Sequence, residues 1–98
     1  MEKKKDQNSS QLQALYKIIL TLKTEEECGA FFRDLCTRKE LQEMAGRWDV
    51  AQMVEQGIPY REIAEKTGMS TATITRVAQW LSHGEGGYRL ALENMKDL

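Results

Sequence analysis

A short run of polar side chains between Thr71 and Leu81 has the types and the spacing needed to read DNA. At 100° per residue, a helix over this run places one set of residues on a single outward arc. The set consists of Ala72, Thr75, Arg76 and Gln79. Threonine and alanine methyls can contact thymine, glutamine can pair with adenine, and arginine can reach guanine or phosphate. The arc therefore predicts contacts to base edges in a major groove.

The elements that must position this arc form a helix-turn-helix over about residues 59–82. Ala64 is small where two helices cross closely, and Gly68, four residues later, permits a left-handed turn. The small core between the two helices is expected to consist of Ile63, Met69, Ile74 and Val77. The alternative is a corner of two helices that only packs and contacts no nucleic acid.

Hydrophobic periodicity predicts six helices and no strand, so the expected fold class is all-α. The polar residues 1–8, which include three consecutive lysines, are expected to form a flexible N-terminal arm that could bind phosphate. The first helix is expected to begin at Ser9 or Ser10. Residues 9–98 are expected to form a single domain for DNA binding and dimerisation, because about 100 residues is the usual size of one domain.

Capping signatures place the starts of the second and third helices. Thr24 with Glu27, and Thr37 with Glu40, match the capping box, in which each side chain satisfies a free backbone amide of the other residue. The third helix is expected to end just before Gly57, because glycine favours the conformation that follows a helix.

The later turns of the third helix are apolar on two sides. Met44 and Trp48 share one side, whereas Val50, Met53 and Val54 lie on the other. A chain of 98 residues has little other material to cover both sides. The sequence therefore predicts an obligate homodimer.

Overall charge sets a limit on how the chain could hold DNA. The formal net charge is −1, so any DNA contact must come from a local surface. No apolar run approaches the ~20 residues needed to span a bilayer, and the basic start is not followed by the apolar core of a signal peptide. We therefore expect a cytoplasmic protein with no membrane partner.

Residues that could support catalysis or metal binding are few. Cys28 and Cys36 are eight positions apart, too far to bridge within one helix, and His83 is the single histidine. The cysteines are expected to be buried, reduced thiols. His83 stands in a glycine-rich break with no nucleophile beside it. We expect no metal site, no cofactor and no enzymatic activity.

Two longer segments of the chain resemble the tryptophan repressor family. They are RKELQEMAGRWDVAQMVEQG and REIAEKTGMSTATITR. The resemblance covers roughly Leu12 to Met95, is most specific from Ala72 to Arg76, and is similar in particular to short repressor-like proteins of Gram-positive bacteria. It implies a six-helix helix-turn-helix fold and an intertwined homodimer.

The resemblance places most of the candidate DNA contacts, with Ser70 added at the helix start and Gln79 from the outward arc. The complete set is Arg61, Ser70, Thr71, Ala72, Thr73, Thr75, Arg76 and Gln79. Arg61 has an alternative role, an exposed ion pair with Glu65 four residues later. Ala64 stands where the family has a basic residue, so one family contact is missing.

The family's corepressor site needs two arginines, and the resemblance places them at Arg47 and Arg76. Val77 stands where the tryptophan-binding repressor has a glycine, and Trp80 where it has the serine that binds the ligand's amino group. We expect Trp80 to fill this candidate effector pocket from within, so that L-tryptophan is not the effector. Alternatives are that Trp80 is an ordinary core residue, that an unidentified anionic small molecule binds between the arginines, and that Arg47 pairs with Glu43.

The function expected from these patterns is that of a homodimeric, sequence-specific transcriptional regulator, a repressor of double-stranded DNA targets that does not respond to L-tryptophan. The alternative is a non-enzymatic module whose outward arc docks on a protein of the transcription machinery. Salt dependence distinguishes the two, since phosphate binding weakens steeply as salt rises.

Overall fold

Six helices make up the fold in the computed structural model, which describes the backbone of residues 2–98 and the side chains of residues 9–98. The helices are α1 (Glu2–Ile19), α2 (Glu25–Leu35), α3 (Arg38–Glu55), α4 (Tyr60–Thr67), α5 (Thr71–His83) and α6 (Gly87–Met95). No strand occurs within residues 2–98. The prediction of an all-α, six-helix chain is therefore confirmed.

Contacts between residues divide the chain into two units, Met1–Arg38 and Lys39–Leu98. In the first unit, α1 begins at Glu2, earlier than the predicted Ser9 or Ser10, because no glycine or proline interrupts the preceding residues. The side chains of residues 1–8 are outside the part of the chain that the structure describes. The flexible arm expected there stays a prediction. The single domain expected over residues 9–98 likewise stays a prediction.

The start of α2 confirms the Thr24 half of the predicted capping box, whereas Glu27 bonds the residue before Thr24 instead of Thr24 itself. The Thr24 hydroxyl accepts the Glu27 backbone N–H at 3.0 Å. The Glu27 carboxylate accepts the backbone N–H of Lys23, one residue before the cap, at 2.8 Å. Both side chains thus satisfy donors that would otherwise have no partner at the helix start.

The two cysteines are more accessible than the sequence suggested. Cys28 is exposed and Cys36 is partly buried, and both are free thiols. Within the single chain the expectation of buried thiols was wrong, because α2, which contains Cys28, buries none of its residues and Cys36, its C-cap, is only partly buried. Within residues 2–98, no helix is long and apolar enough to cross a membrane.

The second unit contains the hydrophobic core. Its fully buried residues are Val50, Ala51, Ile63, Ile74 and Val77. They come from α3, α4 and α5, so the predicted helix-turn-helix packs its inner face on the apolar side of α3. Three of the four predicted core residues are fully buried, and Met69 packs at the edge of the cluster.

Helix α6 closes the second unit beside α3. The rings of Trp48 and Tyr88 stack with centroids 6.4 Å apart and planes 12° apart. An exposed ion pair joins Arg89 to Glu55 at 2.6 Å. An aromatic pair in this geometry contributes about 0.5–1.5 kcal/mol beyond the burial of its surface, whereas an exposed ion pair contributes about 0–1 kcal/mol.

Candidate nucleic-acid interface

The turn between α4 and α5 is fixed by its own hydrogen bonds. Gly68 has φ +73° and donates its N–H to the Ala64 carbonyl at 2.9 Å, which ends α4. The Thr67 hydroxyl donates to the Ile63 carbonyl at 2.7 Å and accepts the Met69 N–H at 3.1 Å. Because a side chain at position 68 would be strained, glycine is the residue that allows this turn.

Ser70 starts α5 as its N-cap. Its hydroxyl accepts the Thr73 backbone N–H at 3.1 Å and donates to the Thr73 hydroxyl at 3.0 Å. Both side-chain oxygens are therefore engaged with each other at the helix start. This geometry supports a structural role for two residues that the sequence placed among the DNA contacts.

The inner and outer faces of α5 are those that the helical wheel predicted. Ile74, Val77 and Leu81 are buried, and Ala78 is half-buried. The outward residues Ala72, Thr75, Arg76 and Gln79 are all exposed. Because the inner face is held by the core, the outer face is presented on a rigid helix.

A shallow surface depression runs along the outer face of α5. It is lined by Thr71, Ala72, Thr75, Arg76 and Gln79. Two hydroxyls, an amide and a guanidinium supply donors and acceptors for base edges, and the methyl groups suit thymine. This surface, called the reading face below, brings together five of the eight candidate DNA contacts.

The remaining three candidates lie elsewhere. Ser70 and Thr73 line a cavity behind α5 rather than the reading face. Arg61 is exposed on α4, and within the described side chains it forms no ion pair with Glu65. The ion pair found on α4 instead joins Lys66 to Glu62 at 3.0 Å. Arg61 is thus available for a nucleic-acid contact.

The cavity behind α5 contains all four residues of the candidate effector pocket. It has a volume of about 430 Å³ and is lined by Glu43, Arg47, Gly68, Met69, Ser70, Thr73, Arg76, Val77 and Trp80. Among the described side chains, Arg47 and Arg76 form no ion pair, so the alternative in which Arg47 pairs with Glu43 is not observed. We call this space the rear cavity.

Trp80 does not fill the rear cavity. Its side chain is 50% exposed and forms part of the wall. The ring also borders a second, more apolar hollow beside Tyr88. The expectation that its indole closes the pocket from within was therefore wrong, because the side chain lies along the surface of α5 rather than under it.

Met69 is the lining residue whose position the sequence did not reveal. It belongs to the turn and had been assigned only to the small core, yet its side chain also lines the rear cavity and reaches α3. The available signal was Gly46, a glycine in the middle of α3 where helix propensity favours almost any other residue.

Comparisons with known proteins agree on one family. Residues 10–96 match the family described as Trp repressor protein. The uncharacterized protein YerC of Bacillus subtilis (strain 168) is 46% identical over 87 residues, which are 89% of this chain and 84% of the relative.

Two crystal structures have a closely similar fold. A TrpR like protein from Eubacterium eligens ATCC 27750 gives a TM-score of 0.86 at 40% identity, covering 91% of this chain and 92% of that one. A protein from Staphylococcus aureus gives a TM-score of 0.85 at 44% identity, covering 89% of this chain and 87% of the other.

Proposed function

Because the chain belongs to the Trp repressor protein family, we propose that it is a sequence-specific DNA-binding regulator that acts as a homodimer and represses transcription. The observation that carries this proposal is the reading face. Its five side chains are exposed, chemically suited to base edges and mounted on a helix whose other side is fixed by the core.

The local charge of α5 supports a nucleic-acid target despite the net charge of −1. Between Gly68 and Gly84 the charged or titratable side chains are Arg76 and His83, and the segment has no carboxylate. A phosphate backbone approaching this surface therefore meets no repelling group on α5. The acidic residues at the start of α2 belong to the other unit.

Exposed apolar side chains support the homodimer. On α1, Leu12 and Tyr16 are about half exposed, and α2 buries none of its residues. Together with Met44 of α3, which is 37% exposed, these residues need a cover that the single chain does not provide. A second copy of the chain supplies it, and two-fold symmetry then presents two reading faces to one DNA duplex.

Selection of bound fragments from genomic DNA tests the function. We expect the purified full chain to enrich a short, two-fold symmetric sequence, and we expect binding to weaken steeply with salt. If six or more phosphates are neutralised, affinity should fall about a thousandfold or more between roughly 50 and 200 mM salt. Recovery of no enriched sequence at low salt would favour a protein-interaction module instead.

Repression itself needs a second measurement. A dimer seated on a promoter excludes other proteins from the same DNA, so transcripts next to the selected sites should rise in cells that lack the protein. Unchanged or reduced transcripts would contradict a repressor while leaving DNA binding intact. We place the protein in the cytoplasm, where its DNA target would be accessible.

A further inference from the structure

The side chain of Met69 crosses from the helix-turn-helix to α3 and rests against Gly46. A Cβ added at position 46 would stand 2.7 Å from the sulfur of Met69 and 3.2 Å from its terminal methyl carbon. Real Cβ atoms do not approach other atoms to under 3 Å. A side chain at position 46 would therefore require the far end of the flexible Met69 side chain to shift.

Glycine at this position is not needed for backbone geometry. Gly46 lies well inside α3, and the glycines with positive φ in the described chain are Gly57, Gly68 and Gly86. A helical glycine costs about 0.5–1 kcal/mol relative to alanine. The contact with the Met69 thioether is the feature of this position that an added Cβ would disturb.

The backbone of Met69 is fixed by a hydrogen bond in the turn, while its side chain extends to α3. Its N–H donates to the Thr67 hydroxyl, and it follows the left-handed Gly68 directly. It also immediately precedes Ser70, the N-cap of α5. A thioether anchored on α3 at this point supports the first turn of α5 from behind, next to Thr71 and the rest of the reading face.

We propose that Met69, seated against Gly46, is a positioning residue that holds the start of α5 in its DNA-binding place without a small-molecule effector. This inference rests on the proposed function. Met69 packs against the buried cluster on one side and lines the rear cavity on the other. The Met69 side chain thus occupies part of the space between α3 and α5. It supports α5 from a place where a bound ligand would otherwise have to do so.

Truncation of Met69 tests the anchor. Met69→Ala should weaken binding to a selected site by about tenfold, because each substitution acts twice in a symmetric dimer. Met69→Leu, which keeps an apolar side chain of similar volume, should stay within about threefold of the unsubstituted protein. Equal affinity of Met69→Ala and the unsubstituted protein would overturn the proposal.

Substitution of Gly46, the residue against which Met69 packs, gives an independent test. Gly46→Ala forces the far end of the Met69 side chain to shift and should weaken binding to the same site, whereas Gly87→Ala in α6 should not, because nothing lies within 4 Å of a Cβ there. The pair Gly46→Ala with Met69→Ala should bind no more weakly than the worse single variant. Losses that multiply in the double variant would contradict a shared contact.

Amide hydrogen exchange separates this inference from the proposed function. The N–H groups of Thr73 and Ile74 bond to Ser70 and report on the first turn of α5. In Met69→Ala they should exchange about tenfold faster while the buried amides of α3 keep their protection. This change is measurable even if no DNA target exists. Unchanged exchange in a protein that binds its DNA would refute the anchor and leave the function standing.

Discussion

Arg76 lies between two surfaces of α5. It borders the reading face together with Thr75 and Gln79, and it also lines the rear cavity with Arg47. The guanidinium is always charged and can bind phosphate, guanine or a carboxylate through paired donors. At the scale of single residues, Arg76 is therefore the side chain that can connect an anion in the cavity with the DNA surface.

Thr75 and Gln79 are the residues we expect to read sequence. Thr75→Ala and Gln79→Ala should each weaken binding to a selected site by about 1–3 kcal/mol per contact, and weaken binding to random DNA much less. Competition binding with both DNAs measures the difference. Gln42→Ala, an exposed glutamine on α3, serves as the control and should change neither affinity. Equal losses on both DNAs would show that Thr75 and Gln79 do not contact base edges.

L-Tryptophan should not act as an effector of this protein. Val77 is fully buried and stands where the tryptophan-binding repressor has a glycine, so the floor of the rear cavity carries an added side chain. Calorimetric titration should show no saturable binding at or below about 1 mM, which corresponds to about −4 kcal/mol. Tighter binding that also strengthens binding to the selected DNA would prove this expectation wrong.

At the scale of helices, both ends of the α4–α5 turn have their own stop and start signals. Gly68 ends α4 in the left-handed conformation, and Ser70 begins α5 by capping Thr73. The angle between the two helices is therefore encoded locally, before any contact with α3 is made. The thioether of Met69 adds the connection to α3.

Loss of the cap should destabilise the fold. Ser70→Ala removes the acceptor for the Thr73 N–H and should lower the free energy of unfolding by about 1 kcal/mol, within a range of roughly 0.5–2. Ser70→Asn supplies another capping acceptor and should recover most of the loss. Chemical denaturation measures both variants. An unchanged midpoint for Ser70→Ala would contradict the role of Ser70 as a helix cap.

At the scale of the whole molecule, the apolar side chains of α1 bear on assembly. Tyr16 of α1 is 56% exposed and Leu20, directly after the end of α1, is 83% exposed, while the fully buried core of the described chain lies in the second unit. Apolar side chains exposed together along one segment can mark an interaction surface, whereas single exposed ones are ordinary. They are the strongest indication in the single chain that a second copy completes the fold.

Assembly can be measured directly. Sedimentation at micromolar concentration should give twice the mass of one chain, and Tyr16→Asp should lower the apparent stability or release monomer. Gln11→Asp places the same charge on another side of α1 and is the control, with little effect expected. A well-folded monomer at this concentration would contradict the dimer, as would full tolerance of Tyr16→Asp.

The amino-acid sequence by itself determined the helices and the two faces of α5. Caps such as Thr24 and Ser70, the break at Gly68 and the spacing of Ile74 and Val77 act over a few residues, so their outcome is readable from local order. The same locality made the reading face predictable, because a helix fixes which side chains are opposite a buried stripe.

Only the tertiary structure decided what lies behind α5. Thr73 belongs to the cap and the rear cavity rather than the reading face, Trp80 is half exposed, and Met69 rests on Gly46. The bond between Ser70 and Thr73 is local, but the rear cavity and the contact of Met69 with Gly46 depend on how α3 packs against the helix-turn-helix, which joins residues more than twenty positions apart. Periodicity within a helix carries no information about which atoms of another helix will meet it.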